Sequence, residues 1–152
     1  MLLFLLACTQ SPIDSTPDTS PPPPGTLALT FGIDSDYLAM MQEPAAGTFY
    51  GTFWRGDEVM GFGPIAGAEE LSDFQVILDL QDGGPSEVLF ESPELPAIEV
   101  VVLGFLDSDA NSTSEDREPD AKDPVTLPGD NDFDVLSGQR TEVQVFFGLL
   151  NP

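Results

Sequence analysis

Between residues 107 and 118, oxygen-bearing side chains recur at alternating positions: Asp107, Asp109, Asn111, Thr113, Glu115 and then Glu118. Calcium takes about six to eight oxygen ligands, from carboxylates, amide and backbone carbonyls and water. Counted from Asp107, these residues stand at the ligand places of a loop that wraps a single ion. Thr113 would offer its backbone carbonyl, Glu115 a direct or water-mediated contact, and Glu118 two closing oxygens. The place where such loops turn on glycine holds Ser112, and Pro119 disfavours a helix at Glu118. A helix–loop–helix calcium unit is therefore excluded, while a loop that binds calcium between strands stays open. The competing reading is a solvated acidic loop. Two carboxylates ~4 Å apart repel by ~1 kcal/mol in water and ~4 kcal/mol at a surface-like dielectric. A convergent set would open or take a cation, whereas an outward-pointing set is screened by salt over ~8 Å. Asp123, or Asp130 and Asp132, would complete a shell if their loops meet the first at one end of the fold.

A second set is aromatic. In "GTFYGTFWRG" strand alternation sends Phe49 and Phe53 to one face and Tyr50 and Trp54 to the other. One face is core, and the other, where exposed, is a platform on which a sugar or similar ligand would stack. Glu69 and Glu70 are adjacent, so a strand points them to opposite faces and they do not make a glycosidase pair. The chain has no histidine, which excludes Ser-His-Asp and Cys-His relays, HExxH zinc sites and imidazole catalysis. Its one cysteine, Cys8, excludes an intrachain disulfide and a Cys-rich zinc site. No enzyme is expected.

Charge narrows the partners. Asp and Glu number 27 against 4 Lys and Arg, a net of -23. Nucleic-acid backbones are held by clusters of Lys and Arg, so nucleic acid is excluded, and anionic lipid is repelled. Cations and basic surfaces remain, and a high like charge also keeps proteins apart.

The N-terminus reads as an address. "MLLFLLAC" is apolar up to Cys8, and Leu5, Leu6, Ala7 and Cys8 resemble the lipobox of bacterial lipoproteins. That resemblance implies cleavage before Cys8 and acylation of it, which anchors the chain to a lipid bilayer at the cell envelope, on the outer membrane or the cell surface. Two acyl chains hold firmly where one holds marginally. Residues 9–25, rich in Ser, Thr and Pro with four prolines from Pro21 to Pro24, read as a disordered spacer. Polyproline II geometry would let it reach up to ~50 Å. The division is thus 1–8 signal and lipobox, 9–25 linker, and 26–152 folded domain.

Within the domain the apolar period is two. Leu27, Leu29, Phe31 and Ile33 share a face, as do Phe74, Val76, Leu78 and Leu80, and Val143, Val145, Phe147 and Leu149. "IEVVVLGFL" (98–106) is apolar on both faces and predicts a central strand. "GTFYGTFWRG" and "EVMGFGPI" predict a hairpin turning at Arg55, Gly56 and Asp57. Seven or eight short strands with Gly and Pro punctuation predict an all-β domain, a single two-sheet antiparallel sandwich with Greek-key connections. "ELPAIEVVVLGFLDSDANS" (94–112) and the Gly-bounded "GTFYGTFWRG" are similar to segments of transthyretin-like and carboxypeptidase-regulatory-like bacterial domains. The resemblance implies an immunoglobulin- or transthyretin-like exported module without catalysis. The functional expectation is a non-enzymatic lipoprotein of the cell envelope, structural or interacting with an envelope protein, with calcium a candidate stabiliser of the 107–118 loop. Its alternative is a carbohydrate- or ligand-binding module using Tyr50 and Trp54.

Overall fold

Half-buried strands need partners on both edges and a cover on one face, and the long-range order of this chain follows from how each is found. The computed structural model describes residues 20–113 and 117–152. The elements are β1 (Thr26–Ile33), a short helix α1 (Ser35–Met40), β2 (Ala46–Arg55), a 3-10 turn (Gly56–Glu58), β3 (Val59–Met60), β4 (Gly63–Pro64), β5 (Glu70–Asp79), β6 (Phe90–Glu91), β7 (Glu99–Asp107), β8 (Pro124–Thr126), β9 (Asp132–Asp134) and β10 (Arg140–Leu150). The domain is all-β. Helix α1 is capped by Asp34, whose carboxylate accepts the Asp36 amide at 2.7 Å.

Hydrogen bonds run along one path, β5-β2-β7-β8-β10-β1-β6, with β9 pairing β7 off it. The path curls until its ends meet, where Phe90 of β6 stacks on Phe74 of β5 at 4.4 Å between ring centroids. The sheet is nearly closed around its core. Every inward alternation read from the sequence places its residues in that core except at β10, where the register with β8 shifts between Phe147 and Leu149. That bulge re-aims Leu149, which leaves the face of Phe147 and lines the outer surface of the sheet.

Three expectations are corrected. The sheet is not antiparallel throughout, because β1 and β10 pair in parallel, from Thr26 with Arg140 to Ile33 with Phe147. A parallel pair needs a crossover, and here it is the whole body between the terminal strands. The predicted β2–β3 hairpin does not form either. Both edges of β2 are taken by longer strands, β5 and β7, so residues 59–64 fold on themselves as a β3–β4 ribbon around Gly61, whose φ is 65°. Lastly, Gly25, the final residue assigned to the linker, is buried and exchanges two backbone hydrogen bonds with Leu95, at 3.0 and 2.9 Å. A Cβ there would lie 2.3 Å from the Leu136 carbonyl, so glycine is required where the chain enters the body.

The core is built from phenylalanine. Phe31, Phe49, Phe53 and Phe147 are fully buried, and Phe49 makes tilted or edge contacts with Phe31, Phe74 and Phe147 at 5.3 to 5.5 Å. Edge-to-face geometry is the favoured one for such rings. They fit because Gly51 and Gly104, directly paired across β2 and β7, carry no side chain on that face. A Cβ on either would come within 2.8 Å of the Phe49 or Phe74 ring. The outer edge of β1 is closed without a long strand. Pro85 and Pro93 cannot donate to a ladder, and Ser86 and Ser92 hydroxyls accept from Phe31 N and Leu27 N at 3.1 and 2.8 Å instead.

Candidate functional site

Alternation along β2 decides the site. With Phe49 and Phe53 inside, Tyr50, Thr52 and Trp54 emerge on the opposite face, beside the outward residues Leu103 and Phe105 of β7. Tyr50 lies directly across from Phe105, and the two rings stack at 5.4 Å and 27°. These residues floor a groove of about 670 Å³. The β3–β4 ribbon supplies one wall through Phe62 and Pro64, and β8 with the re-aimed Leu149 supplies the other. Phe62 stands 86% exposed at the rim of the groove.

Polar groups lie at one end of the groove. Arg117 holds its guanidinium 5.9 Å from the centroid of the Tyr50 ring and pairs with Asp73 of β5 at 2.6 Å. That pair keeps the Asp73 carboxyl below the usual range. The Tyr50 hydroxyl donates to Ser112 O at 3.4 Å. Asn151 fastens the C-terminal end to the loop beside it, its Nδ2 donating to Pro119 O and Asp120 O at 2.9 and 2.7 Å. An apolar aromatic floor with a few converging polar groups suits a ligand that has a flat apolar face and hydroxyls or charge around its edge.

The acidic loop sits beyond this end, where β7 stops. Asp107 is 2% exposed, and its two oxygens accept Asn111 N and Ser112 N, each at 3.2 Å. Asp109 likewise accepts Asn111 N at 3.2 Å, while Asn111 Nδ2 reaches Asp109 and Asp120 at 2.9 and 2.5 Å. The loop thus turns on its own carboxylates, which accept backbone and side-chain amides within it. Ala110 adopts a positive φ of 60° within it. Thr113 and Glu118 are exposed, and Glu115 lies outside the described residues. Among the described residues no group of three or more acidic side chains is placed to hold one metal ion.

The loops proposed to complete a shell separate. β9 pairs Asp132 with Val101 near the start of β7, whereas the acidic loop leaves its end at Asp107. Six residues of strand, ~20 Å, lie between. Asp123 does reach the acidic end, joining Asp109, Asp120, Ser108 and Glu43 around a cleft of about 360 Å³. It is 3% exposed and accepts Asp120 N at 3.1 Å. Burial pushes its carboxyl up to about 7; the Asp120 amide opposes that shift and the Asp120 carboxylate adds to it.

Sequence reasoning reached Tyr50 and Trp54, and both line the groove. It missed Phe62, Phe105 and Arg117. Alternation in β7 could have offered Phe105, but its register with Tyr50 is tertiary information. Cys8 lies outside the described residues. Among those described, no helix is long and apolar enough to cross a membrane. Comparison with protein-family models, curated proteins and solved structures finds no match.

Proposed function

We propose that this chain is a non-enzymatic lipoprotein of the bacterial cell envelope whose β-domain binds a glycan in the groove over Tyr50 and Trp54. Acyl-Cys8 holds it to the bilayer, residues 9–24 act as spacer, and the domain is a variant of the immunoglobulin or transthyretin sandwich whose two layers are joined in one nearly closed sheet. One observation carries the binding reading: the outward aromatics of β2 fall on the floor of the large apolar groove, with Phe62 and Phe105 beside them. Pyranose rings present a flat CH face that stacks on such aromatics, while Arg117, Asn151 and Thr52 offer hydrogen bonds to hydroxyls. Several aromatic contacts in one groove favour this over a purely structural role, which needs no exposed ring at Phe62.

The test is binding to an immobilised glycan panel with Trp54→Ala as control. Retention of one glycan class by the native chain, lost in a folded Trp54→Ala variant, supports the reading. A panel that retains nothing, or retention indifferent to Trp54, rejects it. The anchor is tested separately by metabolic labelling with a fatty-acid analogue, which Cys8→Ser should abolish.

A further inference from the structure

We infer that the groove selects sugar rings carrying a free amine, the ring resting on Trp54 and the ammonium directed toward Glu70 of the neighbouring strand. This rests on the glycan-binding reading above and names the class of glycan.

The protein already seats one cation in this way. Arg117 lies over the Tyr50 ring and is held by Asp73, so an aromatic of β2 and a carboxylate of β5 clamp a positive charge between them. Further along the same two strands, past a shift in register, Trp54 faces Glu70, which sets an aromatic of β2 opposite a carboxylate of β5 again, with Glu70 beside the groove and not in its lining. Glu70 is exposed, and no basic side chain fills this second position. Arg55 pairs with Asp57, Arg117 with Asp73, and Arg140 with Glu91 and Glu142. Lys122 lies at the acidic-loop end, in the cleft with Asp123. Trp is the best aromatic partner for an ammonium, and a carboxylate beside it adds attraction.

The whole molecule biases the choice in the same direction. A net charge of -23 repels glycans bearing uronate or phosphate and concentrates cations near the surface. A free amino sugar offers what the groove and the field both favour: an apolar ring face, hydroxyls at its edge and one positive charge.

Calorimetric titration of the full chain with two oligosaccharides of equal length, glucosamine and N-acetylglucosamine hexamers, separates charge from shape. At low salt the amine oligomer should bind about fivefold tighter per engaged amine, the scale of one exposed ion pair, and the preference should fade as salt rises. Glu70→Gln should remove most of the preference, leaving the share due to the net charge, with the acetylated oligomer's affinity unchanged, and Trp54→Ala should abolish binding of both. Equal affinities in the native chain, or a preference that Glu70→Gln leaves undiminished, overturn the inference and leave glycan binding intact. Amine binding that persists in Trp54→Ala is charge adsorption and overturns it too. If neither hexamer binds, the inference falls, and the glycan panel decides separately whether the groove reading falls with it.

Discussion

Asp123→Asn tests the electrostatics of the acidic end. The carboxyl of Asp123 titrates near 7 in the folded domain against a reference value of 3.8. Because the folded-state value is raised, the native state holds its proton between those limits while the unfolded chain has lost it. Stability is therefore greatest at the acid end of the window and falls as pH rises through 7. A rise of about three units corresponds to a ceiling of ~4 kcal/mol at alkaline pH, and an expected ~2 to 4 kcal/mol once the surrounding loop relaxes. The asparagine variant has no charge to bury. It gives up one accepted hydrogen bond, ~1 kcal/mol at every pH, so the difference between pH 5 and pH 8.5 cancels that loss. With no histidine in the chain, no imidazole titrates in this window to obscure the result. Urea unfolding of both proteins at the two pH values, followed by Trp54 fluorescence, gives the double difference. The native chain should lose ~1.5 to 2.5 kcal/mol more than the variant on going from pH 5 to pH 8.5, because part of the loss has already occurred by pH 5. Equal losses would falsify the assignment of a buried, near-neutral carboxyl to Asp123.

Other consequences are simpler to measure. Gly104→Ala places a Cβ against the Tyr50 carbonyl and the Phe49 ring, so thermal unfolding should show a loss of ~1 to 3 kcal/mol; a neutral result would contradict the ring packing described. Asn131, fully buried, donates to Leu127 O and Phe146 O at 2.9 Å and accepts Phe146 N at 2.7 Å. Asn131→Ala should cost ~2 to 4 kcal/mol in denaturant melts, because three backbone groups lose their partner. Arg117→Ala should raise the Asp73 carboxyl toward ~3.9 in an NMR titration, and an unmoved Asp73 would argue that the pair does not form in solution. Millimolar calcium is expected to leave the melting temperature of the full chain unchanged, since amides bonded to Asp107 and Asp109 already hold the loop's turn without a cation. A rise of several degrees would restore calcium as the organiser of the 107–118 loop.

The strands were legible because burial imposes a period of two on side chains wherever one face is covered. Leu27, Leu29, Phe31 and Ile33, and likewise Phe74 and Leu78, could be assigned to the interior without any partner being known. "IEVVVLGFL" announced a central strand by being apolar on both faces, and β7 has neighbours on both edges. Tyr50 and Trp54 could be separated from Phe49 and Phe53 for the same reason. What local pattern does not encode is which strand pairs with which. The sequence placed β3 beside β2 because they are adjacent in the chain, whereas β2 found longer partners from residues 70–79 and 99–107. Parallel pairing of the first and last strands is a still longer-range choice, set by closing one sheet around one core.

By itself, then, the sequence determined the all-β character, the inward faces, the exclusion of histidine and disulfide chemistry, and the negative field, since each depends on residue type and local alternation. Only the tertiary structure decided that Phe105 and Arg117 join Tyr50, that a bulge turns Leu149 into the groove, and that Asp107 turns to its own backbone. Those are contacts between segments tens of residues apart or carboxylate orientations within a loop, and neither periodicity nor composition carries them.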